Sequence, residues 1–108
     1  MQVISREQLK LLLEKQPDCS LLMAMDREHY LLAHIPGSQP IEAWAAKQPP
    51  PERSEPVIVY STNNVNHCCF HAARLLEWMG FTQVTMYPGG LEDWSEAGEP
   101  LAGALFSK

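Results

Sequence analysis

Apolar and polar positions switch between two periods along this chain, and the switches mark out its elements. Leu9, Leu12 and Leu13 recur at helical spacing behind Ser5 and Gln8, a pair that fits a capping box. Lys10 and Lys15 suit the carboxyl-terminal half of that helix, and Pro17 stops it. The continuous apolar run from Ser20 through Leu21, Leu22, Met23 and Ala24 to Met25 predicts a strand covered on both faces. Asp26 predicts the cap of a second helix reaching about Ala33, His34-Ile35-Pro36-Gly37 a turn, and the next residues a short extended piece to Ile41. Residues 42–48 form a brief helix on this reading, and the proline-rich residues 49–56 a surface loop. Val57–Tyr60 is β-branched and apolar, a polar loop follows, and residues 68–79 carry an amphipathic helical pattern that Gly80 ends as its C′ residue. Val84–Tyr87 is another strand, and Pro88-Gly89-Gly90 turns the chain into a last helix through Trp94, ended by Gly98 and Pro100.

Strands that alternate with helices need crossover connections. The pattern therefore predicts an α/β fold of three layers, a mainly parallel central sheet with helices on both faces. In such sheets, sites lie beyond the carboxyl ends of the strands, which draws attention to the loop after Tyr60. The 108 residues suit one domain, residues 1–108, large enough for a core without staples.

Composition narrows the partners. The formal net charge is −5 and no basic stripe is visible, so neither nucleic acid nor a membrane surface is an expected partner. No apolar run approaches the ~20 residues of a membrane helix, and the amino terminus shows no signal-peptide h-region. Three cysteines, Cys19 and the adjacent Cys68 and Cys69, do not make a disulfide framework, so a reducing cytoplasm is the simplest setting.

The motifs, taken in order and spacing, resemble a single-domain rhodanese. His34-Ile35-Pro36-Gly37 matches that family's turn after the second helix, and Val57–Tyr60 its strand into the active-site loop. Ala72-Ala73-Arg74-Leu75-Leu76 with Gly80-Phe81 matches the helix behind the loop, and Gly89-Gly90-Leu91-Glu92-Asp93-Trp94 the Gly-Gly-hydrophobic-x-x-Trp segment. The resemblance implies a rhodanese-like fold and a sulfurtransferase ancestry. It also implies a small oxyanion or a sulfur-carrying protein as partner, and no cofactor.

Departures cluster at the expected site. Where the family places its nucleophilic cysteine this chain has Ser61, and where it places an Asp-x-Arg element this chain has Met23 and Met25. The loop lacks glycine and runs about two residues longer than usual, resembling an extended-loop subgroup, and Asn63 and Asn64 are the candidates to supply positive φ. Rhodanese chemistry needs a thiolate that accepts a sulfane sulfur and passes it on. A serine hydroxyl does not ionise near neutral pH, so Ser61 implies loss of that reaction at its usual position. An anion cradle built from the backbone of Thr62, Asn63, Asn64, Val65, Asn66 and His67 is independent of the nucleophile. The expected role is a small-anion-binding, regulatory or interaction module. The alternative is persulfide transfer through a displaced thiol, Cys68 or Cys69.

Both thiols also sit on the apolar stripe defined by Ala72, Leu75, Leu76 and Met79, where small thiols pack well. His67, Cys68, Cys69 and His71 fan around one helix and do not converge, so no metal site is expected. Ser61 lacks a G-x-S-x-G elbow, which removes a hydrolase reading. His34 reads as a turn residue, and Trp44, Trp78 and Trp94 as packing anchors. Phe70 and Trp78 fall off the apolar stripe, where aromatics either pack under a loop or mark a partner surface, while Arg53 approaches the site only if the proline loop folds back.

Overall fold

The structure, a computed structural model, describes residues 1–15, 19–63 and 68–106. Its elements in chain order are β1 (Gln2–Val3), α1 (Arg6–Lys15), β2 (Ser20–Met23), α2 (Arg27–Leu32), β3 (Gln39–Pro40), α3 (Ile41–Ala45), β4 (Val57–Tyr60), α4 (Cys68–Trp78), β5 (Val84–Tyr87) and α5 (Gly90–Glu96), then a 3-10 turn at Ala104–Phe106. All five strands are parallel and lie in the order β1-β5-β4-β2-β3. This is the expected α/β architecture of three layers.

Local chemistry places the helix ends. Ser5 N–H donates to Gln8 Oε1 at 2.8 Å and Gln8 N–H donates back to Ser5 Oγ at 3.3 Å, the reciprocal capping box that opens α1. Asp26 Oδ1 accepts from His29 N–H at 2.9 Å at the start of α2. At the end of α4, Phe81 N–H reaches Leu76 O and Gly80 N–H reaches Glu77 O, with Gly80 at φ 102°, the Schellman geometry that glycine permits. Pro17, the expected stop of α1, lies outside the described residues.

Every side chain of β4 is buried, alternating between two cores. Val57 and Val59 face α3 and α4, packing with Trp44, Cys69, Ala73 and Leu76. Ile58 and Tyr60 face α1 and α5, packing with Leu9 and Trp94. Burying a large aliphatic side chain stabilises by about 1.5–3 kcal/mol, so helices on both faces are what make this apolar strand stable.

The structure corrects the face of α4. Its buried residues are Cys69, Ala73 and Leu76, whereas Leu75 and Met79 are exposed and Ala72 only half-buried. Apolar residues surround much of this helix, so its stripe had two solutions, and the sheet selects the one with the smaller side chains inward. Cys68 consequently lies outside the core. Trp44 and Trp94 anchor the two cores as expected, but Trp78 is 84% exposed and anchors nothing.

Candidate functional site at the carboxyl end of β4

Strand order reverses between β2 and β4: β3 adds on one side, β5 and β1 on the other. The crevice expected at such a switch point opens beyond Met23 and Tyr60, which are register partners, with Ala24 N–H donating to Tyr60 O at 2.8 Å. Ser61 is the first residue past it. Both methionines that stand where the family is polar are turned inward, Met23 fully buried and Met25 packed on the α1/α5 core.

The floor of the site is a buried hydrogen-bond network. Tyr60 OH accepts from Ile35 N–H at 3.0 Å and lies 2.8 Å from Ser38 Oγ, which donates to Ile35 O at 2.6 Å. This explains the His-Ile-Pro-Gly turn: it presents the Ile35 amide to the Tyr60 hydroxyl at the end of β4, while Ser38 holds the Ile35 carbonyl. His34 takes part through its backbone, pairing with Ala102, and its Nδ1 lies 2.7 Å from Tyr30 O.

The loop is then stitched to α5. Ser61 O accepts from Leu91 N–H at 2.9 Å and Thr62 O accepts from Glu92 N–H at 2.8 Å. Gly90 makes this approach possible, since a Cβ there would stand 2.5 Å from Ser61 O. Ser61 itself is 1% exposed, and its Oγ has no hydrogen-bond partner among the described residues. An orphaned buried hydroxyl costs about 1–3 kcal/mol, whereas a thiol, a weak donor, fits such surroundings more easily.

Asn63 borders a small hollow of about 170 Å³ with Gly89, Glu92, Asp93 and Glu96. Asp93 is engaged: Tyr87 OH donates to Oδ2 at 2.5 Å and Arg6 Nη1 to Oδ1 at 3.0 Å. Asn63 does not adopt positive φ, contrary to expectation. The loop's backbone reaches α5 without a left-handed residue at that position. Asn64, Val65, Asn66 and His67 lie outside the described residues. The acidic rim of this hollow is invisible to motif reading, because only the tertiary fold sets α5 beside the loop. The Gly-Gly-x-x-Asp spacing is its one sequence signal.

The two neighbouring thiols differ sharply. Cys69 is buried, with Sγ donating to Val59 O at 3.1 Å, and burial pushes its pKa up to about 12. Cys68 is exposed at the first turn of α4. Arg53 packs far along that helix, donating to Met79 O and lying over the Phe81 ring, so the proline loop folds onto the end of α4 opposite the site. Among the described residues no cluster of His, Cys, Asp and Glu gathers as a metal site, and no helix is long and apolar enough to cross a membrane.

Burial also raises the Tyr60 pKa, to about 12, and raises that of Tyr87, where Asp93 adds to the effect. In the fold these groups and Cys69 stay protonated, while in the unfolded chain they ionise near their ordinary values of about 9 for a thiol and 10 for a phenol. Above pH ~9 the unfolded state therefore binds fewer protons, and stability falls as pH rises. Urea unfolding midpoints should drop between pH ~9 and ~12, with a loss of a few kcal/mol by the upper end. Midpoints that stay level across that window contradict the buried ionisable cluster.

Residues 5–97 match the rhodanese-like domain family. The chain is similar to the rhodanese-like domain of the Alr3790 protein from Anabaena, at 30% identity and a TM-score of 0.83, covering 100% of this chain and 83% of that one. Two further likenesses concern the fold alone. The human single-domain sulfurtransferase has 20% identity and a TM-score of 0.74, covering 89% of this chain and 96% of that one. The thiosulfate sulfurtransferase from Pseudomonas aeruginosa has 23% identity and a TM-score of 0.75, covering 95% of this chain and 20% of that one. A search of curated proteins returned no match. The alternating pattern, the parallel sheet and the loop stitched to α5 meet in one conclusion: this chain belongs to the rhodanese-like family.

Proposed function

We propose that this rhodanese-like domain does not transfer sulfur from its usual nucleophile position and serves as a non-catalytic binding or regulatory module. One observation carries the reading: the residue after β4 is a serine, 1% exposed and without a hydrogen-bond partner among the described residues. Sulfur transfer needs a thiolate to take the sulfane sulfur as sulfite departs and to release it to an acceptor. The Ser61 hydroxyl stays protonated at neutral pH and forms no persulfide. A small oxyanion remains a candidate ligand of the loop, but Glu92 and Glu96 at its rim oppose an anion such as thiosulfate. The balance favours a protein partner.

The exposure of Cys68 at the first turn of α4 favours a second reading, sulfur transfer through that displaced thiol. A thiosulfate:cyanide assay separates the two. Wild-type turnover is expected at the uncatalysed level, and the same assay on Ser61→Cys measures how much of the ancestral site survives. Wild-type turnover that disappears in Cys68→Ala would overturn the non-catalytic reading in favour of the second.

A further inference from the structure

The outward face of α4 carries more apolar surface than its neighbours cover. Trp78 is 84% exposed, Leu75 55%, Met79 44% and Phe70 42%, together on the order of 450 Å² of side-chain surface. Leu75 stands between two hollows. One runs along α4 past Phe70 and Trp78. The other is a groove of about 310 Å³ walled by Ile41 and Trp44 of α3, by Pro50 and Pro51, and by Leu75 and Met79. The proline-rich loop thus forms a wall, held against α4 by Arg53, whose Nε donates to Met79 O at 2.9 Å.

Arg74 decides what can cover this face. It lies four residues from both Phe70 and Trp78 on the same side of α4, and its guanidinium sits 5.8 Å from the Phe70 ring centre. Anything that buries both aromatic rings also buries Arg74, and a buried cation without a partner is strongly unfavourable. The occupant must therefore bring a carboxylate to the middle of the contact. A second copy related by a twofold axis at Arg74 would set Arg74 against itself, and Glu77, which lines the same hollow, is already paired with the Met1 ammonium at 3.1 Å. Pairing at a sheet edge is no alternative, since the edge strands β1 and β3 are two residues each.

We propose that the α4 face, from Phe70 to the groove beside the proline loop, docks an amphipathic helix of another protein. That helix seats apolar side chains on either side of Leu75 and a Glu or Asp against Arg74. This surface rests on the reading of the domain as a binding module, and it deepens that reading by naming the site and the partner's chemistry. The surface itself does not include Ser61.

Trp78 is also the probe. Trp44 and Trp94 are buried, at 2% and 4% exposure, so acrylamide quenching reports Trp78 alone. The ligand for the test is a synthetic amphipathic peptide of about 15 residues with leucines one turn apart and a central glutamate. The expected result is protection of Trp78 from quenching, with about tenfold weaker binding when the central glutamate is lysine. Arg74→Glu should reverse that preference, and Trp78→Phe, followed by calorimetry, should retain binding. Equal binding of a scrambled peptide, no protection by the glutamate peptide, or protection that instead tracks protein dimerisation in sedimentation would each overturn the proposal. Wild-type sulfur transfer would strike the module reading through a separate measurement, so the two failures are distinguishable.

Discussion

Gly90→Ala will destabilise the domain by roughly 2–4 kcal/mol, lowering its thermal midpoint by about 10–25 °C. Two effects combine. Gly90 has φ 66°, in the left-handed region, which costs a side chain about 1–2 kcal/mol. An added Cβ would also stand 2.5 Å from Ser61 O, 3.0 Å from Thr62 C and 3.1 Å from Asn63 N. Those atoms are backbone, so no rotamer change relieves the contact, and the loop must retreat from α5. Retreat breaks the hydrogen bonds from Leu91 N–H to Ser61 O and from Glu92 N–H to Thr62 O that hold the site in place. Gly98→Ala is the internal control. Gly98 has φ 78°, and a Cβ added there would meet nothing within 4 Å, so it carries the backbone cost alone. Thermal or urea unfolding of the two variants side by side isolates the close approach. Equal losses would mean that the loop is not held by its proximity to α5.

The same contrast separates what is legible in the sequence from what is not. Elements written in local chemistry are readable residue by residue. β4 and β5 have the expected bounds, because an apolar β-branched run between turn residues admits few alternatives. The capping box at Ser5, the cap at Asp26 and the ending at Gly80 follow from neighbours within a turn. β1 escapes such reading, since Gln2 and Val3 carry no periodic signal and become a strand only by pairing with Thr85 and Met86. The site is legible in position and illegible in charge. Arg6 and Asp93 meet from 87 residues apart, and the acidic rim of the hollow exists only because α5 folds back along the loop. The helix behind the loop is plain in the sequence, but its apolar residues fit more than one face, and only the sheet decides that Cys69 turns inward and Trp78 outward.

That decision makes the two adjacent thiols behave differently, and it supplies the measurement on which the alternative function stands or falls. An Ellman-type reagent on the folded protein at neutral pH should modify Cys68 at once, the half-buried Cys19 more slowly, and Cys69 only on unfolding. Burial carries the Cys69 pKa from 9.0 to about 12, so its thiolate fraction falls about a thousandfold, before any steric exclusion of the reagent is counted. The hydrogen bond from Sγ to Val59 O points the sulfur into the α3/α4 core, and no nucleophilic attack starts from there without opening the helix. Two consequences follow for function. Cys69→Ala should leave any residual sulfur transfer unchanged while destabilising the core by about 1 kcal/mol, the loss of a small buried side chain. Any genuine transfer must then run through Cys68, whose removal is harmless to packing because it lies outside the core. If Cys69 instead reacts in the folded state as fast as Cys68, the buried face assigned to α4 is wrong, and the displaced-thiol reading regains its second candidate.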